Sequence, residues 1–250
     1  LTKGKIVSFG FHESADVRAM EPVSYACAFD GECGMHFKVM ARGSTVPMFV
    51  PGVFGRQAIY AALAAVAVGL ERGMNMVDIS DGLRAFTGLP GRMRYIPGIK
   101  RTVLIDDTYN AAPRSVNAAL YVLREIPIPE SAHRYAVLGD MLELGADSEA
   151  MHMQVGREAA ENADTLVFVG ERMGDAARGA TEAGAGPDRV FHFATTADAG
   201  LFVQERMKTD DVVLVKGSRG MQMEAVVKEL MADPENATAL LCGHHEEWKI

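Results

Sequence analysis

The chain has 250 residues, 48% of them hydrophobic and 23% charged, an ordinary globular composition with room for one or two domains and sizeable cores. Its formal net charge is −8 and it carries no basic run, which excludes nucleic-acid binding that depends on clustered Lys and Arg. The longest apolar run, Ile59 to Leu70, is too short for a bilayer and lies between Arg56 and Glu71; with no secretory signal in view, membrane insertion is not expected.

In chain order, residues 1–50 are β-rich. The runs KIVSFGF, VSYACAF and MHFKVMA are short and apolar or alternating, and Asp30-Gly31 is a hairpin turn signal between the last two. The chain opens on Leu1 and enters strand-like sequence almost at once, so an N-terminal part is expected to lie outside it. Cys27, Cys33 and His36 flank the turn signal and could mimic a metal site, but small buried or half-buried residues are the simpler reading. Three cysteines, an odd and sparse count, suit a reducing cytosol.

From Arg56 the pattern changes. RQAIYAALAAVAVGLERG is Ala-rich and apolar on most sides, which predicts a closely packed helix ended at Gly73, and Val77 to Phe86 predicts a second. TGLPGRMRYIPG is dense in Gly and Pro and reads as a loop or domain connection, with a boundary near Gly98 to Arg101. Beyond it, strands at Thr102–Asp106, Tyr135–Leu138, Thr165–Val169, Arg189–Phe193 and Asp211–Val215 alternate with helices. The helices are expected at Pro113–Glu125, Glu149–Asn162 and about Met173–Ala183, Ala197–Met207 and Met221–Met231. Near-continuous Val, Leu and Ile strands between helices specify an α/β fold, a five- or six-stranded and mainly parallel sheet covered on both faces. Ligands bind such sheets beyond the carboxyl ends of the strands.

Four strand ends carry polar sequence. Asp106-Asp107-Thr108-Tyr109-Asn110 precedes Pro113, which suits a first helical turn; cap and turn chemistry explains one aspartate better than two. In AVLGDMLELG, Gly139 allows a turn and Asp140 and Glu143 are placed in one loop region, where an acidic solvated loop is an equally good reading. In VLVKGSRGM, Lys216, Ser218 and Arg219 cluster with two glycines before a helix, an anion site for a carboxylate or phosphate, with a basic turn as the plainer alternative. Gly170 to Gly174 reads as a simple strand-to-helix turn. Neither G-x-x-x-x-G-K-[ST] nor a strand-following G-x-G-x-x-G is present. Cys242-Gly-His-His245 reads as a solvated end.

LIDDTYNAAPRSVNAAL, AVLGDMLELGADSEAMH and VLVKGSRGMQME, in that order, resemble the C-terminal half of the Mur ligase family, and GKIVSFGFHESADVRA, the Ala-rich helix and LPGRM resemble the later part of its central domain. Within the family the nearest likeness is to the branch that adds D-alanyl-D-alanine to the UDP-N-acetylmuramoyl tripeptide. The resemblance implies residues 1–99 as the later part of a central ATP-binding domain and 100–250 as a Rossmann-like C-terminal ligase domain. It implies a cytoplasmic, monomeric enzyme of peptidoglycan synthesis, using ATP and Mg2+. ATP would phosphorylate the peptide carboxylate, and the incoming amine would attack the acyl phosphate as the domains close.

By the same resemblance, Arg92 would reach the ATP phosphates, Asp107 the ribose, and Tyr109 and Asn110 would face the nucleotide cleft. Lys216, Ser218 and Arg219 would hold the dipeptide, whose free carboxylate needs cationic and N–H partners. No residue is implied as catalytic or as a metal ligand. The chain alone, without a P-loop, is expected neither to hydrolyse ATP nor to ligate. It departs from the family pattern G-R-H-N-x-x-N at Gly55 to Ala61, where Gln57, Ala58 and Ala61 stand for His and two Asn, and from N-A-N-P at Asn110 to Pro113. Those departures motivate an alternative, a non-catalytic Mur-like binding module with weakened ATP binding. A third reading is an unrelated Rossmann-like small-molecule enzyme.

Overall fold

The structure, a computed structural model, describes residues 4–27 and 32–243, so the Asp30-Gly31 turn and the two histidines of the end sequence lie outside the described residues. The chain forms two compact units, Leu1–Gly88 and Leu89–Ile250.

In the first unit a four-stranded sheet runs in the order β1 (Phe9–Gly10), β2 (Val17–Cys27), β3 (Cys33–Ala41) and β4 (Ser44–Pro51). β1 is parallel to β2 and the rest are antiparallel. Arg42 and Gly43, both with positive φ, make the two-residue turn that joins β3 to β4 with the twist a hairpin needs. The register of β2 slips between Met20 and Ser24, around Pro22, which has no N–H to give a ladder. The alternation in β3 buries Met35, Phe37 and Val39 on one face and exposes His36 and Lys38 on the other. α1 (Arg56–Glu71) packs on β1 and β2, α2 (Met76–Arg84) on β4. Asn75 caps α2, its Oδ1 accepting from the amides of Val77 and Asp78. The Ala-rich α1 buries Ile59, Leu63, Val66 and Leu70 but leaves Tyr60, Ala61 and Val68 exposed, so it is less enclosed than its composition suggests.

Cys27 and Cys33 are cross-strand partners with Cα atoms 4.2 Å apart, and they form a disulfide across the β2–β3 hairpin. Both are buried, as the sequence reading has them, and the six-residue spacing around a turn puts them opposite one another, so they are bonded. His36 stacks on Phe49 instead of joining the sulfurs, and among the described residues no three His, Cys, Asp or Glu side chains converge as a metal site. No helix among them is long and apolar enough to cross a membrane.

The second unit is a six-stranded sheet in the order β5 (Arg94–Pro97), β6 (Val103–Asp107), β10 (Val212–Lys216), β7 (Arg134–Gly139), β8 (Thr165–Val169), β9 (Val190–Phe193). All neighbours are parallel except β5, an antiparallel edge strand on β6. The sequence reading took residues 87–98 as a connection with a boundary at 99/100. The division falls at Gly88/Leu89, because Arg94–Pro97 pairs with Val103–Asp106 in the same sheet. A four-residue strand with a proline at its end has no run long enough to register as a strand, and only an edge position tolerates it.

Among the described residues five longer helices, with the single turn Ala237–Leu240, cover the sheet. α6 (Thr196–Arg206) and α7 (Glu224–Leu230) close a core of Leu104, Val137, Val167, Val213 and Val215 with Val203, Val226, Val227 and Leu230. α3 (Pro113–Glu125), α4 (Ser148–Asn162) and α5 (Met173–Glu182) pack in series, α3 against β10 and β7 and α5 against β8. β10 is inserted between β6 and β7; β6 leads through α3 towards β7 and β10 leads through α7 on the other face, so the chain leaves the neighbouring ends of β6 and β10 in different directions. That is the topological switch point where open α/β sheets bind ligands.

α4 and α5 touch backbone to backbone. A Cβ on Gly156 would run into the carbonyl of Ala176, and one on Gly179 into the carbonyl of Met153. Gly179→Ala should therefore destabilise the second unit by about 1–3 kcal/mol despite the better helix propensity of alanine. At Gly82 of α2, with nothing within 4 Å, the same substitution should stabilise by about 0.5–1 kcal/mol. Urea unfolding of the two variants checks the opposite signs.

Candidate functional site

Four segments of the second unit meet at the carboxyl ends of β6, β10 and β7. Asp106 and Asp107 close β6, and successive strand residues point to opposite faces. Both carboxylates nonetheless take up the same neighbouring segment, one from each side. Asp106 Oδ2 accepts from the amide of Gly91 at 2.9 Å, and Asp107 Oδ1 from the amide of Met93 at 3.1 Å. Arg92 lies between the two held amides, exposed, with its guanidinium carbon 3.8 Å from the centre of the Tyr109 ring. Gly91 has φ +67, and a Cβ there would strike the Tyr109 amide and the Cys242 sulfur, so only glycine fits.

Lys216, at the end of β10, is register-paired with Asp107. Its Nζ donates to Asp107 Oδ2 at 2.5 Å and to the Asn110 carbonyl at 2.8 Å. Lysine and aspartate are 2% and 6% exposed, so this is a buried ion pair with a further hydrogen bond on the cation. Burial pushes the Asp107 carboxyl up and the Lys216 ammonium pulls it back, burial being the larger. Asp106, fully buried with no cation in its bonds, is pushed up from 3.8 to about 6 by burial, against the Thr108 hydroxyl and the Gly91 amide that hold it down. The Thr108 hydroxyl donates to Asp106 Oδ1 at 2.6 Å.

Gly217 and Ser218 carry the chain from Lys216 across the β7 end. The Ser218 amide donates to the Asp140 carbonyl at 3.1 Å, and Ser218 Oγ accepts from the Leu142 amide at 2.8 Å and reaches the Ala111 carbonyl at 3.4 Å. Ser218 is thus buried between the loops after β6 and β7. Asp140 and Glu143 do not act together. Asp140 is buried and its Oδ1 accepts from the Met173 amide at the start of α5, while Glu143 is exposed in a left-handed conformation. His152, fully buried, was not singled out in the sequence. Its Nε2 accepts from the Met141 amide at 3.1 Å and its Nδ1 lies 2.7 Å from the Ser148 carbonyl, so the ring is a strut under this loop. Its i,i+4 spacing from Ser148, a helix start, is the one signal that points to it.

Arg219 is partly exposed. Its Nη2 pairs with Glu224 Oε1 and its Nη1 donates to Cys242 Sγ at 3.0 Å. Cys242 also contacts Thr108 Oγ1 at 3.2 Å, and Leu241 is buried in the core. The end sequence read as solvated is therefore packed as far as Cys242, because Leu241 fills the α7 side of the sheet. The structure bonds Lys216 to Asp107 and Asn110, ties Ser218 to the Ala111 carbonyl beside them, and stacks Arg92 on Tyr109. Arg219 joins them only through Cys242 and Thr108. Of the basic side chains of these loops, Lys216 is buried, while Arg92 and Arg219 are reached by solvent.

The family profile described as Mur ligase, glutamate ligase domain matches residues 91–219, which contain all of these loops and just over half of the chain. UDP-N-acetylmuramoyl-tripeptide–D-alanyl-D-alanine ligase of Escherichia coli (strain K12) is 36% identical over 206 residues, 82% of this chain and 43% of that protein. The Bacillus subtilis (strain 168) protein of the same name is 33% identical over 208 residues, 81% and 43%. A crystal structure of MurF from Acinetobacter baumannii superposes with TM-score 0.71 at 30% identity, covering 89% of this chain and 46% of that one. The chain thus spans less than half the length of the relatives it matches.

Asp106 gives the site a pH signature. Between 3.8 and about 6 the folded protein keeps a proton that the unfolded chain has lost, so stability falls as pH rises through this window. The loss is up to about 3 kcal/mol. In urea unfolding from about pH 4 to 7, Asp106→Asn should remove this slope, and a wild-type-to-variant difference independent of pH would contradict the assignment.

Proposed function

The chain belongs to the Mur ligase family, and from that premise we propose that the whole protein is an ATP-dependent ligase that adds D-alanyl-D-alanine to the UDP-N-acetylmuramoyl tripeptide in the cytoplasm, as a step of peptidoglycan precursor synthesis. The first unit is read as the later part of the ATP-binding domain and the second as the C-terminal ligase domain. The observation that carries the reading is the convergence of the three polar strand-end loops at the switch point, with the guanidinium of Arg219 open to solvent.

The roles divide by exposure. Arg92, Tyr109 and Asn110 are at least partly exposed and are read as the nucleotide contacts, Arg92 as a phosphate partner. Asp107 already serves Lys216 and the Met93 amide, so its part is to hold Arg92 and the β10 end in place; a ribose contact would have to form at its buried edge. Lys216 and Ser218 shape the dipeptide loop from inside, and Arg219 supplies the fork for the free carboxylate. ATP supplies the phosphoryl group that activates the peptide carboxylate, and the incoming amine displaces it. The described carboxylates converge on no metal site, so none is assigned to Mg2+.

A second reading, a Mur-like binding module with weakened ATP affinity, is favoured by α1. Ala58 and Ala61 offer no side-chain hydrogen bond, and Gln57 lies back against Gly55. The assay that separates the two uses the full-length protein with ATP, Mg2+, the nucleotide tripeptide and D-alanyl-D-alanine. The ligase forms the pentapeptide product and releases phosphate only with all components; the module does neither and shows little nucleotide binding. In the active enzyme, Arg219→Ala should raise the KM for D-alanyl-D-alanine about ten- to a hundredfold, as expected for loss of a charge-assisted bond, with kcat and the ATP KM little changed. A changed ATP KM alone would assign the loop to phosphate.

A further inference from the structure

Arg219 has five N–H donors in a planar fork. Two are used inside the protein, one by Glu224 Oε1 and one by Cys242 Sγ, and they come from different terminal nitrogens. A guanidinium held at both Nη atoms cannot turn about its last bonds. Its remaining N–H groups form no hydrogen bond among the described residues, and the side chain is 40% exposed.

The groups that hold it are themselves held. Burial pushes the Cys242 thiol up, so it keeps its proton. The single Thr108 hydroxyl proton goes to Asp106, which leaves Thr108 Oγ1 to accept from the Cys242 thiol. The order is therefore Arg219 N–H to Cys242 sulfur, Cys242 S–H to Thr108 oxygen, Thr108 O–H to Asp106. This runs from the loop after β10 to the end of β6. The backbone bearing Cys242 is anchored by buried Leu241 and by the Leu240 carbonyl, which accepts from Arg94 Nη1 at 2.9 Å. Gly243 closes over the arrangement: its φ is +88, and a Cβ there would strike Arg219 Nη2 and Glu224 Oε1. Glu224 Oε2 is buried with no hydrogen-bond partner among the described residues. Half a carboxylate left unpaired costs stability. Packing alone would be served as well by an apolar side chain; a fixed orientation of Arg219 needs the charge.

We propose that Cys242 and Glu224 are positioning residues that lock one edge of the Arg219 guanidinium, so that its other edge is presented, preformed, to the carboxylate of the incoming amino component. This rests on the ligase reading above for the identity of the ligand, but not for the lock itself. Preorganisation of this kind lowers the ordering cost of binding.

Arginine side-chain NMR of the 250-residue chain tests both parts separately. In the wild type, Arg219 should show distinct, slowly exchanging Nη1 and Nη2 signals. Cys242→Ala and Glu224→Gln should merge them, and Cys242→Ser, which keeps a donor and acceptor, should restore them. Titrated D-alanyl-D-alanine should shift the Arg219 Nε signal, with Kd raised at least about tenfold in Cys242→Ala and Glu224→Gln but not in Cys242→Ser. A single averaged wild-type signal, or an Nη pair unaffected by both variants, overturns the lock. A locked pair that the dipeptide does not shift supports the lock and contradicts the ligand reading. Should Cys242→Ala fail to fold, judged by its amide spectrum, Glu224→Gln and Cys242→Ser still decide.

Discussion

The end of β6 carries two adjacent carboxylates, and the second unit depends on how differently they are used. Asp106 and Asp107 receive the amides of Gly91 and Met93 from the two sides of one segment. Asp107 in addition neutralises Lys216 at the end of the next strand, in register. Bringing an ammonium and a carboxylate to 2% and 6% exposure is costly. The pair is kept because it joins the strand ends from which the site loops leave, and because the same ammonium also satisfies the Asn110 carbonyl. An apolar pair could fill the volume but could not receive the Met93 amide.

From that junction the neighbouring loops become a framework. Ser218 ties the β10 loop to the loops after β6 and β7, and Asp140 ties the β7 end to α5. His152 holds the start of the 140–152 segment from within its helix. These polar groups are buried and internally satisfied, so they are not offered to a ligand. Two guanidiniums are open to solvent: Arg92, held by the amides on either side of it and by the Tyr109 ring, and Arg219, held by Glu224 and Cys242. A site built this way has its charge placed before the ligand arrives, which suits electrostatic recognition of phosphate and carboxylate.

The inner parallel strands β6, β10, β7 and β8 were legible because each is built on a short apolar run, buried on both faces, between helices of clear period. Thr165–Val169 and Pro113–Glu125 came out with the expected ends. β5 was not, since RYIP is short, flanked by Gly and Pro, and paired only at an edge; its membership of the sheet moves the division of the chain back to Gly88. The Cys27–Cys33 bond and the packing of Cys242 depend on long-range or cross-strand proximity, which composition does not report. The polar strand ends were legible as places but not as roles. A lysine and an aspartate 109 positions apart carry no mark that they are partners, and only the strand order β6-β10 puts them together.

The central claim is that Asp106 and Asp107 are the two halves of a clamp on the segment that carries Arg92. Amide hydrogen exchange, read residue by residue, tests it most directly. Gly91 and Met93 should exchange as slowly as the β6 core. Asp106→Asn should release Gly91 more than Met93, and Asp107→Asn should release Met93 more than Gly91. Fast exchange of both amides in the wild type, at the rate of an open loop, would contradict the clamp and return the paired aspartates to simple turn residues.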